Sequence, residues 1–366
     1  MAVIAPSRRI RRTPFTEGVE AAGVKGYTVY NHMLLPTVFE SIQADYHHLK
    51  SAVQVWDVAC ERQVELRGPD AARLMQMLTP RDLRGMLPGQ CFYVPIVDET
   101  GGMLNDPVAL KLAEDRWWIS IADSDLLFWV KGLAYGYRLD VLVDEPDISP
   151  LAVQGPQADD LMARVFGDAI RSIRFFRFGW FDFKGVSMAV ARSGYSKQGG
   201  FEIYVDGTEN GMPLWNALFE AGKDLDVRAG WPNLIERIEG GLLSYGNDMT
   251  RENTPHECGL GRFCSTQTAI GCVGRDALLR VAKEGPTQQI RAIAIEGDIP
   301  PCDKAWPLLS NGKRVGQVTS AAKSPDYHTN VAIGMVRMTH WDEGTALEVH
   351  TPSGVRAATV QEKFWI

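Results

Sequence analysis

The sequence has few of the residues that build metal centres or disulfide frameworks. It contains six cysteines and seven histidines among 366 residues. The cysteines lie at positions 60, 91, 258, 264, 272 and 302, and no two of them form a CxxC pair. Because tetrahedral zinc sites usually combine two close pairs of ligands, neither a zinc nor a cluster site is expected. We therefore expect reduced, mostly buried thiols and no metal cofactor.

Long apolar runs and an excess of positive charge are also missing. No segment approaches the ~20 apolar residues of a membrane helix. Lys and Arg number 38 against 45 Asp and Glu, a net charge of -7, whereas a nucleic-acid binder needs a basic surface. The arginines between positions 8 and 12 lack the apolar core of a secretion signal. These absences predict a cytoplasmic protein without membrane or nucleic-acid partners. We expect the basic N-terminal arm either to pack on the body of the protein or to contact another subunit.

The catalytic motifs of several large enzyme classes are absent too. The chain contains no G-x-S-x-G, P-loop or H-E-x-x-H sequence, so standard hydrolase, NTPase and zincin activities have no support. The length instead suggests two or three domains of mixed secondary structure.

Hydrophobic periodicity predicts helices and strands that do not alternate regularly. Residues 63–67 alternate like a strand, and residues 71–78 keep helical spacing until Pro80. Residues 234–242 predict an amphipathic helix that stops at Gly246. From about residue 291 onward, short strands separated by turns predict a small β-barrel. The α+β class is therefore favoured.

The turn at residues 98–106 is the most informative stretch. Gly101 and Gly102 allow a tight turn, which places Asp106 where the next strand begins. Pro107 biases Asp106 towards an extended conformation. A carboxylate held there could position an amine or accept its proton. The alternative is an ordinary turn aspartate that accepts bonds from nearby backbone amides.

A glycine-rich connection at residues 194–200 leads into a strand that carries Glu202. It is not a dinucleotide fingerprint, since no helix follows and no G-x-G-x-x-G occurs. Glu202 and Tyr204 share one strand face, opposite Phe201 and Ile203. On the inward side, Glu202 could grip a fused heterocycle through paired N–H donors. The alternative is a solvated strand face.

Eight segments, in order and at compatible spacing, resemble the glycine-cleavage T-protein of the folate-dependent aminomethyltransferase superfamily. Four of them are similar to the family's "VFDVS", "VSGPDA", "GGIIDD" and "RTGYTGEDGFEI" sequences. The eight segments are 55–58, 66–70, 78–90, 101–106, 192–203, 257–260, 274–278 and 316–320. The resemblance covers almost the whole chain.

This resemblance implies an α+β cloverleaf of three domains, with folate in a central hole and a β-barrel at the C-terminus. The implied domains are 1–52 plus 128–215, 53–127 plus 216–285, and 286–366. Tetrahydrofolate is the implied cosubstrate. Asp106 matches a family acid that faces N5 and N10 of folate, which makes it the candidate catalytic residue. Tyr93, Tyr195 and Glu202 match residues that line or grip the folate.

Within the family, the opening segments 8–15 and 27–33 resemble the dimethylsulfoniopropionate demethylase branch. That branch implies transfer of a methyl group from the sulfonium to N5 of tetrahydrofolate, leaving methylthiopropionate. Asn105, Leu110 and Asn233 replace an acid, a tyrosine and an arginine of the T-protein, and its basic tail is absent after Ile366. Two alternatives stay open: an aminomethyltransferase acting on an amine or lipoyl-bound donor, and a folate-binding protein without catalysis.

A sulfonium substrate needs alignment and an aromatic wall more than a strong acid. We predict that Tyr30 and at least one of Trp118 and Trp180 line the sulfonium pocket, with Ser120 bonding the carboxylate end. The arginine arm and Lys25 are candidates for the basic group that holds this carboxylate. Whether the chain forms a homodimer is left open.

Overall fold

The computed structural model describes residues 7–265 and 270–366, which divide into two compact units. Unit 1 takes the described residues up to 72, together with 86–92 and 108–233. Unit 2 takes residues 73–85, 93–107 and the described residues from 234 to 366. Both units are discontinuous in the sequence.

Helices and strands both occur along the whole described chain. The α-helices are α1 Thr16–Ala21, α2 Ile42–Ser51, α3 Ala71–Leu78, α4 Leu126–Gly136, α5 Ala158–Phe166, α6 Gly211–Ala221, α7 Leu234–Glu239 and α8 Arg275–Glu284. Short 3₁₀ helices occupy Asp168–Ser172, Thr208–Asn210, Lys223–Leu225, Gly261–Phe263 and Met338–His340. None of the helices placed in the structure is long and apolar enough to cross a bilayer.

The strands are β1 Gly26–Tyr30, β2 Met33–Val38, β3 Gln54–Asp57, β4 Gln63–Arg67, β5 Gln90–Tyr93, β6 Ile96–Val97, β7 Met103–Asn105, β8 Val108–Ala113, β9 Arg116–Ser120, β10 Leu142–Asp144, β11 Ile148–Gln154, β12 Phe178–Phe183, β13 Val186–Ala191, β14 Gly200–Asp206, β15 Arg228–Gly230, β16 Gln288–Ile295, β17 Trp306–Ser310, β18 Lys313–Lys323, β19 Asn330–Arg337, β20 Ala346–Thr351 and β21 Gly354–Gln361. The strand at 63–67 and the helix at 71–78 are confirmed with the predicted bounds.

Unit 1 is built on two larger sheets and one hairpin. The strand orders are β10-β4-β9-β8-β5 and β12-β13-β14-β11-β3-β15. Strand β15 is parallel to β3, and the pairs β10–β4, β4–β9, β8–β9, β12–β13, β13–β14, β11–β14 and β11–β3 are antiparallel. A buried apolar cluster joins the two sheets, with Leu110 and Trp118 from the first and Phe178, Ala189 and Tyr204 from the second. The hairpin β1–β2 pairs Tyr30 with Met33. These sheets position Glu202, Ser120 and both candidate tryptophans.

The N-terminal arm packs on unit 1. The Arg11 guanidinium donates to Glu145 at 2.9 Å, and the Arg11 backbone N–H donates to the His32 carbonyl at 2.7 Å. The side chain of Arg12 forms an ion pair with Glu20. Of the two placements predicted for this arm, packing on the body is the one that the structure contains.

Unit 2 contains the predicted barrel. Six strands close in the order β16-β19-β18-β17-β20-β21 around a core that includes Trp306 and Leu308. Helix α7 packs Ile238 against Ile290 and Ile333 of the barrel. The prediction that this helix continues to residue 242 is wrong, because it ends at Glu239. Gly241 adopts a left-handed φ of 63°, which ends the helix in the way that favours glycine.

Candidate functional site

Asp106 lies directly after strand β7 in unit 2, and its two carboxylate oxygens differ. The Tyr93 hydroxyl donates to Oδ2 at 2.7 Å. Oδ1 is buried and has no hydrogen-bond partner among the described residues. A buried polar atom without a partner costs free energy, so Oδ1 is available to a ligand that brings a donor.

The side chain of Asp98, not that of Asp106, accepts the backbone hydrogen bonds of the glycine turn. Asp98 Oδ1 accepts from the backbone N–H of Thr100 at 2.8 Å and of Gly102 at 3.0 Å. Its Oδ2 accepts from Arg251 Nε at 2.6 Å. Because Asp98 satisfies the turn, the alternative of an ordinary turn aspartate does not account for Asp106.

Burial raises the pKa of Asp106 to about 7, and the negative charge of Asp248 adds to this effect, while the hydrogen bond from Tyr93 lowers the pKa. Asp248 is itself fully buried and forms an ion pair with Arg237 at 2.8 Å. Asp106 is therefore present in both its protonated and its charged form near neutral pH. A carboxyl group in this state can accept a proton from an amine and release it again.

Glu202 is the corresponding buried carboxyl group of unit 1. It lies on β14 and is only 7% exposed, which excludes the solvated strand face. The Ser193 hydroxyl donates to Glu202 Oε2. Burial raises the pKa of Glu202, and the hydroxyls of Ser193 and Tyr204 act in the opposite direction. Tyr195 is half-buried in the glycine-rich loop, two residues after Ser193.

The β1–β2 hairpin brings Tyr30 to the end of strand β9. Asn31, the first turn residue, has φ 49° and donates its side-chain amide to the carbonyls of Cys60 at 2.9 Å and Ala122 at 3.1 Å. Its Oδ1 accepts from the backbone N–H of Ser124 at 3.0 Å. Because residues 121–124 directly follow Ser120, these bonds hold the hairpin tip beside the predicted carboxylate-binding residue.

The two candidate tryptophans have different environments. Trp118 is 2% exposed, and its indole N–H donates to Glu65 at 3.2 Å. Trp180 is 49% exposed and packs its ring against that of Trp118, with 6.2 Å between the centroids. The open aromatic face is therefore that of Trp180. Ser120 is buried and accepts from Gln63 Nε2 at 2.9 Å.

Some residues at these sites were not predicted from the sequence. Tyr204 packs against Trp118, with ring centroids 5.9 Å apart. The period-two pattern of β14 already placed Tyr204 on the face of Glu202 and was the available signal. Ser193 and the Arg237–Asp248 pair gave no signal in the sequence, because their partners are 9 and 11 residues away and no helix or strand period links the two positions. In the ranges 7–265 and 270–366, no group of three or more His, Cys, Asp or Glu side chains could hold a metal ion.

Comparison with known families matches nearly the whole chain. Residues 15–268 match the GCVT N-terminal domain, and residues 289–365 match the glycine cleavage T-protein C-terminal barrel domain. The chain superposes on the glycine cleavage system aminomethyltransferase T from Bartonella henselae with a TM-score of 0.86. That alignment covers 98% of both chains at 24% sequence identity, so it establishes the shared fold.

Two curated relatives differ widely in their similarity to the chain. The chain is 66% identical over 365 residues to the dimethylsulfoniopropionate demethylase of Ruegeria pomeroyi, with all of both chains covered. It is 28% identical over 350 residues to an aminomethyltransferase of Bacillus pumilus, covering 93% of the chain and 94% of the relative.

Proposed function

The chain belongs to the glycine cleavage T-protein family, and from that premise we propose that it transfers a methyl group from dimethylsulfoniopropionate to tetrahydrofolate. The products are methylthiopropionate and 5-methyltetrahydrofolate. In this reaction a C–N bond forms and a C–S bond breaks, its electron pair returns to sulfur, and the proton of the N5 amine is released. The enzyme is a methyltransferase of the sulfonium S-demethylase type.

One observation carries this proposal over an aminomethyltransferase activity. The identity to the Ruegeria pomeroyi demethylase is 66% over the full length, against 28% to the Bacillus pumilus aminomethyltransferase. Two residues that depart from the T-protein pattern make contacts within unit 1. Leu110 belongs to the buried apolar cluster of unit 1, and Asn233 donates to the Ile42 carbonyl at 3.0 Å. Both side chains are buried, with exposed fractions of 0% and 1%.

The acid of unit 2 fits the requirements of methyl transfer to an amine. Tetrahydrofolate supplies the N5 amine that accepts the methyl group. Asp106 offers a buried, unpartnered Oδ1 to an N–H donor, and its pKa of about 7 suits a group that takes up the released proton. Tyr93 holds the other oxygen and so fixes the orientation of the carboxylate. We assign Asp106 as the catalytic residue and Tyr93 as a folate contact.

In unit 1 we assign Tyr195 and Glu202 as folate contacts. The pterin ring presents several N–H donors, and a carboxylate accepts two of them side by side. Glu202 is buried and is oriented by Ser193, which supports this assignment. The half-buried Tyr195 side chain on the adjoining loop supplies a ring that can contact the folate.

We assign the sulfonium site to Tyr30, Trp180 and Ser120, with Trp118 packed behind Trp180. Aromatic faces attract cations by ~0.5–2 kcal/mol per contact, and more as the cation loses its water. The 49% exposed ring of Trp180 and the Tyr30 side chain at the hairpin tip supply such faces. Because an aromatic wall forms no tight ion pair, the methyl group of the sulfonium keeps its reactivity.

The experiment that tests the proposal is an anaerobic assay of the purified protein with tetrahydrofolate and one of three donors. The donors are dimethylsulfoniopropionate, dimethylglycine and an aminomethyl-lipoyl compound, and the products are separated as methyl- or methylenetetrahydrofolate. We expect methyltetrahydrofolate with dimethylsulfoniopropionate alone. Methylenetetrahydrofolate from the aminomethyl-lipoyl compound, or methyltetrahydrofolate from dimethylglycine, would instead identify an enzyme that acts on amine donors, and folate binding without turnover would identify a non-catalytic protein.

We further propose that the protein works in the cytoplasm as a homodimer. An exposed aromatic face on α4 supports self-association, since Phe128 is 69% and Tyr135 89% exposed. Both residues lie on one side of the helix, seven positions apart. Sedimentation velocity of the wild type and of Phe128→Ser tests this, and a wild type that sediments as a monomer at micromolar concentration would refute it.

A further inference from the structure

We propose that Gln154 is a positioning residue for folate, which fixes both ends of the glycine-rich loop 194–199 and, through Ser193, the carboxylate of Glu202. This inference rests on the proposed folate-dependent function. It assigns a role to a residue that carries no charge and lies outside every motif of the sequence. The following contacts all lie within unit 1.

The side-chain amide of Gln154 makes three hydrogen bonds to the loop and to residues that flank it. Gln154 is the last residue of β11 and is 1% exposed. Its Nε2 donates to the carbonyl of Ser193 at 3.1 Å and to that of Phe201 at 3.3 Å. Its Oε1 accepts from the Ser196 hydroxyl at 2.7 Å. One buried amide therefore binds the residue before the loop, the second residue of the strand that follows the loop, and Ser196 within the loop.

The glycines of the loop are spaced around this amide. A Cβ atom on Gly194 would lie 2.1 Å from Gln154 Nε2. A Cβ atom on Gly200 would lie 2.1 Å from the Val153 carbonyl oxygen and 2.8 Å from Gln154 Nε2. All three distances are below van der Waals contact, so only glycine at positions 194 and 200 allows the chain to pass this closely. Gly194 is thus explained by its close approach to Gln154 and Gly200 by its approach to Val153 and Gln154, whereas Gly199 adopts a left-handed φ of 78° and has open space around it.

Two hydrogen bonds connect Gln154, through Ser193, to Glu202, the proposed folate-binding residue. Gln154 binds the Ser193 carbonyl, and the Ser193 hydroxyl donates to Glu202 Oε2. Ser193 is 4% exposed and Glu202 7% exposed, so water does not readily replace either bond. If the Ser193 backbone moves, the Glu202 carboxylate loses its orientation. Tyr195, which follows Ser193 by two residues, moves with the same backbone.

The neighbouring strand provides a matched control residue. Gln54 of β3 pairs in register with Gln154 and is 2% exposed. Its Nε2 donates to the Asp45 carbonyl at 2.9 Å, and its Oε1 accepts from Trp56 Nε1 at 2.8 Å. None of these partners belongs to the loop. Methionine has a similar volume to glutamine but no amide, so either substitution removes the buried hydrogen bonds and largely keeps the packing. Only the change at Gln154 removes bonds to the loop.

The test compares Gln154→Met with Gln54→Met in the full-length protein. Tetrahydrofolate affinity is measured by anaerobic calorimetry, the KM for dimethylsulfoniopropionate by steady-state assay, and stability by thermal unfolding. We expect both variants to unfold at a lower temperature. Gln154→Met alone should weaken tetrahydrofolate binding by about tenfold, as expected for loss of two to three hydrogen bonds, and leave the sulfonium KM within about twofold. Equal effects of the two variants on folate affinity would overturn the proposal.

A double-mutant cycle tests the path through Ser193. If Gln154 acts through Ser193, the variant with both Gln154→Met and Ser193→Ala should lose less folate affinity than the product of the two single losses. Multiplicative losses would refute this path. Should Gln154→Met not fold, Ser196→Ala removes one bond to the same amide, and unchanged folate affinity would then count against the proposal. A wild type that binds folate but does not demethylate the sulfonium would refute the proposed function, not this role.

Discussion

At Asp106 one carboxylate oxygen is hydrogen-bonded and the other is buried without a partner in the described part of the chain. When it is charged, the buried Asp106 carboxylate lowers the stability of the folded protein. The folded pKa of about 7 lies above the value of about 3.9 in an unfolded chain. Between these two values the folded state binds more protons than the unfolded state, so this group reduces stability as the pH rises from about 4 to 7.

We therefore predict that Asp106→Asn lowers turnover by about 10²-fold or more while stabilising the ligand-free protein at pH 8 by about 1–3 kcal/mol. The gain in stability should shrink as the pH falls from 8 to 5, because the wild-type carboxyl then becomes neutral. Urea unfolding at the two pH values and a turnover assay measure both effects.

Asp98 is the matched control in the same turn. Burial raises its pKa, but the hydrogen bonds from Thr100, Arg251 and Gly102 outweigh burial and lower the pKa overall. Asp98→Asn should therefore lose stability at pH 8, the opposite sign to Asp106→Asn. Near-normal turnover in Asp106→Asn would remove Asp106 from the reaction.

The tryptophan pair allows packing and binding to be separated. Trp118→Ala should cost about 3–5 kcal/mol of stability, because its ring is 2% exposed and lies in the core of unit 1. Trp180→Ala should cost much less stability and raise the sulfonium KM by about three- to tenfold. Chemical denaturation and the KM for dimethylsulfoniopropionate distinguish the two. If Trp180→Ala left the KM unchanged, Trp180 would not belong to the sulfonium site.

At the scale of elements, the β1–β2 hairpin matters because its turn is anchored to another part of unit 1. Asn31 and His32 have φ values of 49° and 62°, which together suit a two-residue hairpin turn. The two residues otherwise differ. Asn31 is buried and bonds to the segment after β9, whereas His32 is exposed. Asn31 therefore supplies the buried side-chain bonds that anchor the hairpin turn next to Tyr30, whereas the His32 side chain makes only an exposed contact with Asp125 at 3.4 Å.

We predict that Asn31→Gly raises the sulfonium KM at least fivefold, as about 1 kcal/mol or more of lost anchoring bonds would do. Glycine keeps the left-handed turn, so the change isolates the lost hydrogen bonds from backbone strain. His32→Gly is the control and should leave the KM within about twofold. Tetrahydrofolate affinity should stay nearly constant in both variants. A collapse of folate binding in Asn31→Gly would contradict the assignment of this hairpin to the sulfonium.

At the scale of a whole unit, a buried ion pair ties helix, loop and barrel of unit 2 together. Arg237 of α7 binds Asp248 at 2.8 Å and the Ser320 hydroxyl of β18 at 2.6 Å. Asp248 also accepts from the Thr319 and Ser320 hydroxyls at 2.7 and 2.6 Å and from the Ser244 backbone N–H at 2.9 Å. The side chain of Asp248 is 0% exposed, so these donors take the place of water around its carboxylate.

We predict that Arg237→Met destabilises the protein by about 3–5 kcal/mol, because it leaves the Asp248 carboxylate buried without its counter-ion. Adding Asp248→Leu should recover part of this loss, since both charges are then removed from the interior. Urea unfolding of the single and double variants measures the difference. A double variant less stable than Arg237→Met would show that the pair's hydroxyl partners, and not the charges, dominate.

The sequence alone determined the features that depend on neighbouring residues. Alternation along residues 63–67 and 200–206 fixes which side chains share a strand face, because successive residues of a strand point to opposite sides. The helix at 71–78 follows from its apolar spacing, and the barrel from short strands between turns. The order of the family segments predicted the family and the α+β fold. The exception is the end of α7, where Gly241 stops the helix before the apolar spacing does.

Only the tertiary structure decided the chemistry of the candidate groups. Burial, the pKa and the free oxygen of Asp106 depend on which chain segments pack around it, and sequence spacing does not record this. The structure likewise separated the buried Trp118 from the half-exposed Trp180, and it gave Gln154 partners up to 47 positions away. Local sequence encodes local geometry, whereas desolvation and hydrogen-bond partners arise when distant segments meet.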